Sequence, residues 1–265
     1  MKNLLIKSAG ISAMLALSFA QPALATPITI TDSYWGGFDH GYGDVIGHDS
    51  LFDITSMVVD RRDNILSVSI NTNFAGRSGI FGRLTNNAVS QGRGIAYGDL
   101  FLSDSWTPNT DAPHYKNDNY VTGTAWSYAF SLDDRWSNTG GSGTLYSLTG
   151  DDSDTLISDD FISRSTYRNG QEVAVDASQK NADETFSTGR WGVIADTDST
   201  VGKINFLIDL TGTSLEDSDT IALHWGMTCG NDTIEGEYTV PEPTILGLLA
   251  IGLIGVGFSK RNKAA

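Results

Sequence analysis

The chain has 265 residues, with 17 Lys and Arg against 32 Asp and Glu, a formal net charge of −15, and one cysteine. So acidic a balance excludes nucleic acid and anionic lipid as partners of the body, because both need a basic face. A single cysteine excludes an intramolecular disulfide, and Cys229 reads as a small buried thiol.

Lys2 and Lys7 precede a short apolar run over 11–19, and Ala23-Leu24-Ala25 forms an A-x-A cleavage pattern. These features predict a secretory signal peptide over 1–25, cut after Ala25, with the mature chain starting at Thr26. Five of the basic residues and one acidic residue (Glu242) fall in the two ends. The body is left with 12 basic against 31 acidic residues, a net −19.

The body, 26–239, has a period of two. Leu66, Val68 and Ile70 alternate with Ser67, Ser69 and Asn71, the pattern of a half-buried strand. The stretch 51–59 pairs with it as a hairpin across the polar turn 60–64. Further strands are predicted at 98–103, 125–132, 144–148, 172–175, 191–195, 203–210, 220–227 and 233–239. Clusters of Gly, Asn, Asp and Ser separate them, and no stretch of ten residues has a helical period. Many short strands with Gly-rich turns predict an all-β domain, a β-sandwich of jelly-roll or lectin-like type. If first and last strands are neighbours, Trp35 and Trp225 pack together.

Trp106, Tyr115, Tyr120 and Trp136 sit in polar, loop-like stretches and are the candidate glycan-binding residues. The bland reading is that each covers the core with its polar tip in water. No cofactor is expected. Calcium is the one metal candidate, through Asp39, Asp44, Asp151, Asp152, Asp154, Asp196 and Asp198, because Asp-rich loops supply hard oxygen ligands. The stretch 196–202 has its Gly one place late for an EF-hand loop and lacks the closing Glu, so solvated turn aspartates are the competing reading. His40, His48, His114 and His224 show no metal-ligand spacing. The sequence has no H-E-x-x-H, no G-x-S-x-G, no P-loop and no Cys pair for zinc. A non-enzymatic protein is therefore expected. A glycoside hydrolase is the least favoured alternative, since the separation of paired carboxylates is a property of the fold.

Val240-Pro241-Glu242-Pro243 precede an uncharged run over 245–258, and Lys260, Arg261 and Lys263 close the chain. Fourteen helical residues span roughly 21 Å against a hydrocarbon core of about 30 Å, a short transmembrane helix. Its basic end stays on the cytoplasmic side. The segment 240–265 resembles the PEP-CTERM sorting signal of Gram-negative bacteria, in its VPEP motif, apolar helix and basic tail. Body segments around Trp35-Gly36-Gly37, Gly98-Asp99 and His224-Trp225-Gly226 are similar to those of other PEP-CTERM surface proteins. The resemblance implies a membrane-held precursor, an exosortase-type processing enzyme as partner, and delivery to the cell surface, extracellular matrix or biofilm. It leaves the activity open, and a structural or adhesive role is the expectation. The alternative is a carbohydrate-binding, lectin-like module with extracellular polysaccharide as partner, supported by calcium.

Overall fold

The computed structural model describes residues 26–36, 43–110, 112, 114–149, 153–163, 167–180 and 184–240. The signal peptide with Ala23 and Ala25, the tail from Pro241 onward with Lys260 and Arg261, and the calcium candidates Asp39, Asp151 and Asp152 lie outside the described residues. Ala25–Pro241 forms one compact unit.

Alternation produces the first long hairpin. β2 (Ile54–Arg62) pairs antiparallel with β3 (Ile65–Thr72), with Arg62 opposite Ile65. The two-residue turn carries Asp63 at φ 52°, the left-handed geometry that matches strand twist and that Asp tolerates. The hairpin was expected, but its first strand starts later: residues 49–52 form a one-turn helix, α1 (Asp49–Phe52), which buries Phe52.

Ten strands then form one antiparallel sheet. In addition to β2 and β3 these are β1 (Ile28–Thr31), β4 (Leu100–Ser103), β5 (Tyr128–Leu132), β6 (Gly140–Ser147), β9 (Thr185–Ile194), β10 (Lys203–Asp209), β11 (Thr220–Gly226) and β12 (Thr233–Thr239). Their order is β1-β2-β3-β10-β9-β6-β5-β4-β11-β12. The all-β expectation holds, but a sandwich of two separate sheets is not what forms. The sheet curls until β12 meets β1 and β2, a nearly closed barrel. Every neighbouring pair is antiparallel, so β1 and β12 run in opposite directions, and Ile28 and Thr239 lie at the same barrel end. Ile30 packs so closely on Gly236 that a Cβ there would lie 2.7 Å from its side chain.

The barrel interior holds one main core. Met57, Val59, Leu66, Ile70, Leu100, Phe130, Phe206, Ile208, Trp225 and Tyr238 belong to it, all at most 3% exposed. β9 starts six residues before the predicted strand because its first inward positions carry no apolar signal. Gly189 faces Gly143 across the ladder, and the Phe130 ring fills the space that their side chains would take.

A second layer covers part of the outer wall. β7 (Thr155–Ile157) and β8 (Glu172–Val175) form a separate two-stranded ribbon. Phe101, Trp126, Ala129, Val175 and Ala222 form a small core between the ribbon, the loop 104–127 and the outer face of β5, β4 and β11. Asp99, fully buried, fixes the layer. It accepts from the amides of Leu132 (2.9 Å) and Val175 (2.7 Å) and pairs with Arg135 at 3.1 Å. Two more one-turn helices, α2 (Asn87–Ser90) and α3 (Ser158–Phe161), pack at the ribbon's flank.

Candidate functional site

The polar chemistry of the molecule gathers beneath this cover. His224 interrupts an apolar strand on the outward face of β11, with Phe101 edge-on at 5.6 Å and Trp126 at 5.4 Å. Its Nε2 lies 2.7 Å from the Glu172 carbonyl oxygen, which can only accept, so Nε2 carries a proton. Its Nδ1 lies 2.8 Å from Glu235 Oε1 on β12. Burial pulls the imidazole pKa down, but the hydrogen bond and charge of Glu235, together with the charge and carbonyl of Glu172, outweigh it and the net shift is upward. The other Glu235 oxygen accepts from Trp106 Nε1 at 3.1 Å.

The cluster continues through the loop. Tyr34, 2% exposed, stacks on Tyr115 with ring centroids 5.7 Å apart, and Tyr115 lies 5.5 Å from Trp106. Trp35 stacks on His114 at 4.3 Å, whereas Trp225 belongs to the barrel core. The Tyr34 hydroxyl bonds Asp118, a buried carboxylate. Burial first, then the nearby Glu235 charge, push Asp118 up to about 7.

A second group adjoins the first through Asp32, whose Oδ1 accepts from the Tyr34 amide at 3.0 Å. Oxygens of Asp32, Asp44 and Asp232 lie within 4.8 Å of one another. Arg168, with no exposure, is set among them. Its Nη2 donates to the Asp44 carbonyl (2.6 Å), and its Nη1 lies 3.9 Å from Asp232 Oδ1. Asp232 also accepts from the amides of Ile54 (2.6 Å) and Thr233 (2.8 Å). Burial is the largest cause raising Asp32 to about 8 and Asp232 well above the usual carboxylate range. Three carboxylates could hold a cation. Here the guanidinium supplies one positive charge from within the chain.

The structure therefore brings two glycan candidates together, Trp106 and Tyr115, with Trp106 tied to a buried carboxylate. Tyr120 sits apart, beside a cavity of about 170 Å³ shared with Asp159 and Asn169. Trp136 is elsewhere again, donating from Nε1 to the Gly94 carbonyl at 2.9 Å beneath the Arg93 guanidinium. All four are half-buried. Of the calcium candidates among the described residues, only Asp44 joins the carboxylate group. Asp154 pairs with Lys180, Asp196 with Arg77 at 3.2 Å, and Asp198 is exposed in the turn 197–200. Cys229 is buried, and burial pushes its thiol up to about 12. Sequence reading missed Asp32, Asp118, Arg168, Asp232 and Glu235. The one available signal was His224, a titratable group inside an otherwise apolar strand.

The last strand leads into the tail. Thr239 pairs with Thr220, and the Val240 amide donates to the Asp219 carbonyl at 2.8 Å. The family model of the PEP-CTERM protein-sorting motif matches residues 239–261. No curated protein and no solved structure matches the chain. The chain carries a PEP-CTERM protein-sorting motif, which implies an exported protein processed by an exosortase, a membrane enzyme, and bound for the cell surface or the extracellular space.

Proposed function

We propose that the barrel is a structural or adhesive component of the extracellular matrix, exported by a signal peptide and released to its address by tail processing. One observation carries the reading. Three of the four aromatic side chains suited to sugar stacking are fastened to the protein itself: Trp106 to Glu235, Trp136 to the Gly94 carbonyl, and Tyr115 against Tyr34. Rings held this way rigidify a loop instead of offering a free stacking platform. The test compares cells lacking the chain with cells in which it is restored, by the shear needed to strip the matrix. A weaker matrix, rescued by the full chain but not by one ending at Val240, is expected. Equal strength with and without the chain would remove this reading.

A glycan-binding reading is favoured by a different surface from the one that the sequence suggested. A hollow of about 400 Å³ lies on the outer face of β2, β3, β10 and β9, mostly apolar through Pro27, Val58 and Leu207, with Ser69, Arg190 and Asn205 as polar groups in its lining. Hydroxyl, amide and guanidinium groups on a rigid sheet suit a polyhydroxylated chain. Saturable binding of the producing organism's polysaccharide, lost in Asn205→Ala, would support it. Titration with calcium and with chelator tests the contribution of Asp32, Asp44 and Asp232. No saturation in any arm would exclude it.

A further inference from the structure

The barrel and the sorting motif share residues. The motif begins at Thr239, yet Thr239 is the last residue of β12, paired with Thr220. Val240, the first residue of the VPEP sequence, is also held: its amide bonds Asp219, and its side chain packs against the barrel core. The strand before it is anchored on both faces. Ile234 and Tyr238 lie fully buried inside, and Glu235 lies under the outer cover. Only the four residues 241–244 then separate Val240 from the apolar run. Extended, they span about 14 Å at most.

We infer that the closed barrel withholds the start of its own sorting motif, so that processing by the exosortase-type enzyme acts on the folded body and requires the end of β12 to open first. The physical basis is simple. Residues 239 and 240 cannot lie in the barrel ladder and in an enzyme groove at once. Strand ends open at low cost, because they lose few contacts, whereas Tyr238 and Ile234 keep the rest of the strand seated. Processing is thereby ordered after folding, and its rate carries the opening equilibrium of one strand end. The inference rests on the sorting function alone and is independent of what the barrel does at the surface.

The register supplies a lock. Val240 donates to Asp219, so those two form a hydrogen-bonded pair, and Thr239 with Thr220 is the adjoining non-hydrogen-bonded pair, whose side chains lie closer. Such a pair suits a disulfide, and the exported compartment is oxidising. The experiment follows conversion of precursor to mature protein by pulse-chase in cells carrying the processing enzyme. The double variant Thr220→Cys with Thr239→Cys is compared with Thr239→Cys alone. Cross-linked precursor should fold to a protease-resistant body yet persist unprocessed, and reductant should restore conversion. A second variant places about twelve Gly/Ser residues, followed by a repeated Thr-Val, between Val240 and Pro241, so that the motif stands free of the barrel. It should convert roughly three- to tenfold faster, the factor expected when a pre-equilibrium costing about one hydrogen bond is removed. Native-rate conversion of the cross-linked precursor, or an unchanged rate with the spacer, would overturn the inference.

Discussion

The outer wall of the barrel has two halves built on different rules. On β2, β3 and β10 the outward side chains face water. β3 alternates without a break, burying Leu66, Val68 and Ile70 while Ser67, Ser69 and Asn71 point out. On β4, β5, β11 and β12 nearly every residue is buried, because the ribbon and the loop 104–127 cover the outward face. A strand with one wet face reads as alternation, and a strand covered on both faces reads as a continuous apolar run. Buried titratable groups follow the same division. His224, Glu235, Asp118, Asp32 and Asp232 all lie under or beside the cover, whereas Asp209 on the bare half is solvent-facing. Covering a sheet face thus converts ordinary acids into costly ones, which persist only with fixed partners.

Breaking the fastening of the covered half should have the largest effect. Arg168→Leu leaves three converging carboxylates without their internal cation and strips the donor from the Asp44 carbonyl. A loss of about 3–5 kcal/mol is expected in urea unfolding of the body. A loss below about 1 kcal/mol, the range of ordinary exposed ion pairs, would show that the cover does not depend on this group.

The next effect is a pH dependence of opposite sign in the two halves. Asp32 (about 8) and Asp118 (about 7) are raised from 3.8, so the folded protein holds their protons more tightly than the unfolded chain. That stability is fully present below the unfolded value and is lost as pH rises toward 7 and 8. His224, raised by Glu235 against its burial, adds in the same direction: its contribution is lost as pH rises through its folded value. Asp209 is lowered, chiefly by its hydrogen bond from Thr211, so its contribution is lost only as pH falls below the carboxylate range. The unfolding midpoint should therefore be higher at pH 5 than at pH 8, and Asp118→Asn should flatten part of the slope. A midpoint that rises over this range would contradict the assignment of raised acids to the covered half.

Smaller changes sharpen the contrast. Trp106→Phe keeps the ring and removes the donor to the Glu235 carboxylate, at an expected cost of about 1.5 kcal/mol. Leu207→Thr on the bare half, at a site 48% exposed, should fall within about 0.5 kcal/mol of the parent. Equal costs at the two sites in the same unfolding assay would erase the distinction.

How far these halves could be read from sequence follows from the same physics. β3 and β10 were legible because alternation is a local pattern, and β8 and β12 because each is a β-rich run bounded by polar turns. β1 and β7, four and three residues long, are too short to carry a pattern. Closure into a barrel depends on which edges meet, and the β1–β12 contact spans almost the whole body. The candidate site was less legible still. Asp32 and Asp232 meet across two hundred residues, and Arg168 reaches them from a connecting loop, so spacing along the chain held no trace of the group. The loop aromatics were found, but their direction was not. Trp106 turns inward because a buried carboxylate from the far end of the chain waits for its indole N–H.

The seam between β1 and β12 has a consequence for how copies of the chain meet. An open sheet ends in two rows of unpaired amides and carbonyls, which neighbouring copies can extend into aggregates. Here the two terminal strands of one sheet are turned toward each other, and Ile30 is seated over Gly236. The edges shield one another without a continuous ladder. Copies can then meet without a long unpaired sheet edge for the next copy to extend.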